Sequence, residues 1–194
     1  MRIVAGEFKG RAIATPKGRD TRPTSDRARE TVFNILAHAA WSPPLGGARV
    51  IDVFAGSGAL GLEALSRGAA ACLFVETARP ARTAIAQNIK QFGIADRARL
   101  ARDTGTALSP NPGPPYTLAF LDPPYRKGLV APALASLRAG NWLGEASLVM
   151  VETAREEGQA SAGDMGLPGV DAGAWDYVQV REAGAARLWF LVPR

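Results

Sequence analysis

An apolar run that leads straight into a glycine-rich turn and then a helix limits this chain's fold more than any other feature. The run covers 49–54, the turn is Gly56-Ser57-Gly58, and the helix is predicted over 59–67. Glycine at such a join lets the backbone turn tightly and lets a ligand approach the helix N-terminus. The same alternation continues downstream. Strands are predicted at 71–76, near 98–101, up to Leu121 and at 146–152, separated by helices at 79–92 and near 129–139. Ile85, Ile89 and Phe92 mark one face of the helix at 79–92. The pattern implies an α/β fold with a mostly parallel sheet and helices on both faces. Two further apolar stretches, 175–181 and 187–192, predict an antiparallel pair at its edge, and 154–174, rich in Gly, Ala and acid, predicts a mobile loop.

The N-terminal region differs in composition. Residues 1–31 hold eight of the 23 Lys and Arg side chains but only four of the 18 acids, so most of the net charge of +5 sits there. Short apolar alternation at Ile3, Phe8 and Ile13 suggests a small hairpin over 2–14, and 16–23 reads as loop. Thr24 or Ser25 can cap a helix to about His38, with Asp26 in its first turn and an apolar stripe at Val32, Ile35, Leu36 and Ala39. This divides the chain into a basic extension, 1–40, and a main domain, 41–194. A basic arm on a nearly neutral domain suits attraction to a phosphate backbone. Alternatively its arginines are solvated on a partly mobile terminus.

Composition narrows the chemistry. Cys72 is the single cysteine and lies in an apolar run, where a buried packing role is expected. His38 is the only histidine, so neither a zinc site nor any other metal site is expected. The N-terminus has no signal-peptide core and no run is long enough to span a bilayer, which gives a cytoplasmic, non-membrane, monomeric expectation.

Gly56, Gly58 and Gly61 match G-x-G-x-x-G, and Glu76 ends the next strand twenty residues after Gly56, where an acid can accept from ribose hydroxyls. The pattern alone also admits a nicotinamide oxidoreductase. Asp52, just before the loop, is placed to meet an ammonium group, which favours a methionine-derived cofactor. Asp103, after the third strand, could accept from an adenine amine, or cap a helix over 104–108. Asp52, Phe54, Gly56, Gly58, Glu76 and Asp103 are therefore the candidate cofactor residues.

The second motif is Asp122-Pro123-Pro124-Tyr125, directly after the apolar run 116–121. Paired prolines fix φ and remove two donors, leaving a rigid corner rich in acceptors. An exocyclic base amine is a weak nucleophile because its lone pair is delocalised into the ring. Hydrogen bonds from its two N–H groups to Asp122 and a proline carbonyl would aim that lone pair, and Tyr125 could stack on the base. By itself an Asp-Pro corner is equally a strand-closing turn. Arg126 and Lys127 follow it and could touch flanking phosphates.

These residues resemble the bacterial RsmD family. The likeness runs through Arg2-Ile3-Val4-Ala5-Gly6, Lys9-Gly10-Arg11, Thr21-Arg22-Pro23-Thr24, Asp26-Arg27-Ala28-Arg29-Glu30, the glycine loop, Asp122 to Gly128, and Val151-Glu152. It implies a Rossmann-like class I methyltransferase sheet. It also implies S-adenosylmethionine as cofactor and methylation of a guanine N2 amine, guanine 966 in the family's usual numbering, in 16S ribosomal RNA of the small ribosomal subunit. Arg2, Lys9, Arg11, Arg22, Arg27 and Arg29, with Arg126 and Lys127, become the expected RNA contacts. Many relatives carry a second acid two residues after the Glu76 equivalent, where this chain has Ala78. DNA amino-methyltransferases use similar corners and remain an alternative, as does a catalytically silent RNA-binding assembly factor.

Overall fold

The computed structural model describes residues 1–16, 26–161 and 164–194. Arg22 and the capping pair Thr24 and Ser25 lie outside them. The chain forms α1 (Asp26–His38), β1 (Arg49–Val53), α2 (Ala59–Ser66), β2 (Ala71–Val75), α3 (Arg79–Phe92), β3 (Ala98–Ala101) and β4 (Tyr116–Leu121). It continues through α4 (Val130–Ala139), β5 (Leu143–Ala154), β6 (Gln159–Ser161), β7 (Asp164–Gly166), β8 (Trp175–Ala183) and β9 (Ala186–Pro193).

Seven of these strands form one sheet in the order β3-β2-β1-β4-β5-β9-β8. The first five are parallel, whereas β9 runs antiparallel to β5 and β8 antiparallel to β9. The order reverses between β1 and β4, the switch point where open α/β sheets bind ligands beyond the strand C-termini. The β-strands at the centre are buried on both faces, which is why 118–121 and 148–151 read as unbroken apolar runs.

Alternation along the strands divides the core. Val50, Phe74, Leu118 and Phe120 pack with α1, α2 and α3 on one face. Ile51, Val53, Leu121 and Val151 pack with Leu134 and Leu137 of α4 on the other. All eight residues of α2 are buried. A helix buried on every side needs covering on every side, and its outer cover is the N-terminal arm with α1, whose Ile3, Phe8, Ile13, Val32 and Phe33 belong to the same cluster. α3 opens with a proline in its first turn and closes on Gly93 in the left-handed conformation.

The arm is not the mobile terminus of the alternative reading, at least over 1–16. It makes an antiparallel bridge, Arg2 with Ala12, rather than two hairpin strands. A Cβ on Gly6 would stand 1.8 Å from the Ser66 carbonyl oxygen, so only glycine fits there. Ser66 holds both sides of that contact, accepting from Phe8 N at 2.9 Å and donating to the Ala5 carbonyl. Among its described residues, the expected loop at 154–174 also holds regular structure. β6 and β7 pair as a two-stranded ribbon, and Leu167 is buried against the α4 face.

Candidate active site

β1 and β4 are parallel neighbours, with Val53 opposite Leu121. The next residue of each strand, Phe54 and Asp122, therefore leaves the sheet at the same edge. The glycine loop and the Asp-Pro-Pro-Tyr corner, 68 positions apart by this register, become adjacent.

The loop is built from left-handed residues. Phe54, Gly56 and Gly58 have φ of 62°, 56° and 79°. At Phe54 this costs on the order of 1–3 kcal/mol unless packing enforces it. Packing does: Gly105 is buried against the ring, and a Cβ there would stand 2.8 Å from Phe54 Cζ and 2.5 Å from Val53 Cγ1. A Cβ on Gly56 would meet nothing closer than the Phe54 carbonyl at 4.0 Å, so its open side faces free space. Gly61 is needed for the opposite reason, since a Cβ would stand 2.4 Å from Phe74 and 2.5 Å from Cys72 Sγ.

Asp52 does not reach the cleft. It lies on the Val50 face, 1% exposed, and its Oδ2 accepts from Gly61 N in the first turn of α2 at 2.9 Å. Its expected contact with a cofactor ammonium is thus corrected: it anchors the helix behind the loop. Burial pushes its carboxyl well up, the Gly61 bond opposes this, and the negative charges of Asp122 and Glu76 push it further. A raised carboxylate disfavours the folded state once it ionises. Asp52→Asn, which keeps an acceptor for Gly61, should therefore gain melting temperature over the wild type at pH 8. The gain should shrink as pH falls through the raised pKa; thermal melts at pH 5 and 8 check this, and an equal difference at both would contradict it.

Glu76 closes β2 as the sequence suggested. Its Oε2 accepts from Gly56 N at 2.9 Å and its Oε1 from Ala78 N at 2.7 Å. It is half-buried and has lone pairs left for a ligand hydroxyl. Asp103 is half-buried at the end of β3. No helix follows it among the described residues; Thr104 bridges Ala107 instead, which removes the capping alternative.

In the corner, Asp122 and Tyr125 are half-buried, Pro123 is buried and Pro124 exposed. The Tyr125 hydroxyl donates to Glu152 Oε1 at 2.6 Å. Arg126 has φ 57°, gives its N–H to Glu157 at 2.9 Å and pairs through its exposed guanidinium with Glu156 at 3.1 Å. Lys127 is exposed beside it.

The basic residues separate into different places. Arg29 is corrected from an RNA contact to a core residue: it is fully buried, bonds the Arg2 carbonyl, and pairs with Glu63 at 3.4 Å. A guanidinium with no exposed surface has no face for a phosphate. Glu63 also accepts from Val4 N at 2.8 Å, Ala5 N at 3.0 Å and Arg67 Nε at 2.8 Å. Arg11 is half-buried, bonded to the Gln91 carbonyl and 4.4 Å over the Phe92 ring, at the C-terminal end of α3. Lys9 is exposed, but its loop docks on Ser66 at the far end of α2, where Glu7 pairs with Arg97 before β3. Eight helical residues put that end about 12 Å from the glycine loop. Arg2, exposed, bonds the Gly10 carbonyl. Arg27, two residues before Arg29 on α1, is exposed.

Sequence reasoning missed Asn88. Fully buried on α3, it accepts from Ala14 N at 2.8 Å and donates to the carbonyls of Ala14 at 2.9 Å and Ser57 at 3.1 Å. It ties the arm to the glycine loop. Its signal was a polar residue in the stripe Ala81, Ala84, Ile85, Phe92; for Glu63 it was one acid in an apolar helix. Among the described residues no group of His, Cys, Asp and Glu could hold a metal, and no helix is long and apolar enough to cross a membrane.

A sheet in this order, with a glycine loop at the switch point and an Asp-Pro-Pro-Tyr corner beside it, has the class I methyltransferase fold. The solved structure of the Escherichia coli protein yhhF superposes with a TM-score of 0.81 at 33% identity, covering 100% of this chain and 98% of that one. Residues 1–169 match the family model described as Conserved hypothetical protein 95. Ribosomal RNA small subunit methyltransferase D of Escherichia coli K12 is 37% identical over 191 residues, 97% of this chain and 89% of that protein. Its namesake in Haemophilus influenzae is 32% identical over 160 residues, 81% of this chain and 80% of that protein. The chain belongs to this family, the RsmD family.

Proposed function

We propose that the protein transfers a methyl group from S-adenosylmethionine to the N2 amine of a guanine in 16S ribosomal RNA, on the assembled or assembling small subunit. The observation that carries this reading is the register of β1 and β4, which sets an amine-gripping corner beside a loop suited to a nucleoside cofactor. The relatives named above, small-subunit rRNA methyltransferases across nearly their whole length, supply the substrate class.

The residues present fit the cofactor. The open side of Gly56 leaves space for a close backbone approach, and Glu76 stands at the next strand's tip to accept from ribose hydroxyls. Phe54 and Asp103 would flank the base and Gly58 opens α2 beneath it. Asp122 and Glu76 stand close enough for both to perturb Asp52, so negative charge gathers at this edge. S-adenosylmethionine, when bound, supplies an electrophilic methyl on a sulfonium with a good leaving group. Glu76→Ala should weaken its binding by about 10–100-fold, measured by calorimetric titration; an unchanged Kd would remove Glu76 from the site.

The chain's own part is positioning. The Asp122 carboxylate and a carbonyl of Pro123 or Pro124 accept from the two amine hydrogens and direct the nitrogen lone pair. The proton leaves through Asp122 or directly to water. Tyr125 offers its ring for stacking once the base has swung out of its helix or loop.

For the RNA backbone, Arg126 and Lys127 directly follow the corner and Arg27 is exposed on α1, whereas Lys9 and Arg11 sit at the far end of α2 and α3. Arg27→Ala should lower the slope of log affinity against log salt by about 1, and Lys9→Ala should change it less. Filter binding to small subunits at several salt concentrations checks this; equal slopes for all would remove Arg27 from the interface.

The reading is tested by offering naked 16S rRNA, small subunits lacking the modification, and duplex DNA as methyl acceptors. Small subunits should be the best acceptor. Transfer to DNA alone would replace this reading with that of a DNA amino-methyltransferase.

A further inference from the structure

The corner holds an amine, and guanine, adenine and cytosine all present one. They differ at the adjoining ring nitrogen. In guanine N1 carries a hydrogen; N1 of adenine and N3 of cytosine are bare acceptors. A site that discriminates therefore needs an acceptor-only group beside the corner.

Glu152 meets that description. Leu121 of β4 pairs with Val151 of β5, so Glu152 comes level with Asp122 at the same sheet edge. It is 5% exposed and lines one crevice with Pro123, Pro124 and Tyr125. A carboxylate has about four acceptor positions, more than the bond from the Tyr125 hydroxyl at 2.6 Å occupies. A buried carboxylate is costly to desolvate.

We propose that Glu152 is the specificity residue for guanine, accepting N1–H while the corner holds N2 and repelling the bare ring nitrogen of adenine or cytosine. This rests on the guanine-N2 reading above. Sites built around a ligand's donor reject analogues lacking it far more strongly than hydrophobic pockets reject size changes.

The test compares small subunits reconstituted with guanine or with 2-aminopurine at the mapped target nucleotide. 2-Aminopurine keeps the N2 amine and has no N1–H. Wild-type enzyme should prefer guanine by at least about a hundredfold in kcat/KM. In Glu152→Gln, whose amide can donate to a bare N1, the preference should fall below about tenfold as the guanine rate itself drops. Tyr125→Phe, which removes only the hydroxyl, should keep the preference within about threefold of wild type. A melting temperature near wild type for Glu152→Gln confirms that it folds. N2-methylguanosine formed by the wild type, with the preference unchanged in Glu152→Gln, overturns the assignment of Glu152 and leaves the reaction standing. Absence of N2-methylguanosine with the wild type overturns both.

Discussion

Asp122→Ala should lower the single-turnover rate of methyl transfer to small subunits by about 10²–10⁴-fold, with S-adenosylmethionine affinity within about threefold of wild type. The split follows from geometry. Asp122 leaves β4 next to Phe54, half-buried at the edge of the cleft, while the loop hydrogen bonds at Gly56 and Gly61 belong to Glu76 and Asp52. On the proposed reading, removing Asp122 takes away the acceptor that aims the amine and leaves the loop hydrogen bonds of Glu76 and Asp52 in place. It also relieves charge repulsion on Asp52, and a melting temperature near wild type confirms that the variant folds. Rapid-quench transfer assays beside calorimetry separate the two quantities. A retained rate would show that the corner does not grip the amine; a matching loss of cofactor affinity would show that it belongs to the donor site.

The second large effect concerns stability. Glu63 lies in the middle of α2, is fully buried, and joins three parts of the chain: Val4 and Ala5 of the arm, Arg29 of α1 and Arg67 beyond its own helix. Glu63→Ala would strand the buried Arg29 guanidinium beside two backbone donors. Breaking a buried pair in this way costs about 3–5 kcal/mol, which for a domain of this size lowers the melting temperature by about 6–20 °C. Arg29→Met with Glu63→Leu removes both charges and should recover part of the loss, because well-packed apolar replacements of buried pairs are tolerated. Differential scanning calorimetry of the three proteins checks this. If Glu63→Ala melts within a degree or two of wild type, the arm is not held by this cluster.

What was legible in the sequence divides along physical lines. Element order came through because buried parallel strands read as apolar runs and helices as stripes; β1, α2, β2, α3 and β3 fall within a residue or two of expectation. The two motifs were legible because glycine and proline act on the backbone locally, without tertiary help. Asp52 misled because strand alternation decides its direction: Val50 and Phe120 face α2, and Asp52 shares their side. Arg29 misled because a charge count cannot separate a guanidinium facing solvent from one paired with a carboxylate 34 positions later. Glu152 was quoted as part of a signature, but its nearness to Tyr125 depends on the β4–β5 register, a pairing that local pattern does not specify. The ribbon at β6 and β7 went unseen because alanine and glycine carry little strand signal, while backbone pairing needs none.

The central claim is that a proline-backed carboxylate next to a sulfonium donor aims a guanine amine in ribosomal RNA. Small subunits lacking the modification, incubated with the protein and S-adenosylmethionine labelled in its methyl group, would be digested to nucleosides and separated by mass. Label is expected in N2-methylguanosine alone, at about one per subunit, and almost none with Asp122→Ala. Label in methylated adenosine or cytidine, in ribosomal protein, or in N2-methylguanosine at equal yield with Asp122→Ala would contradict it.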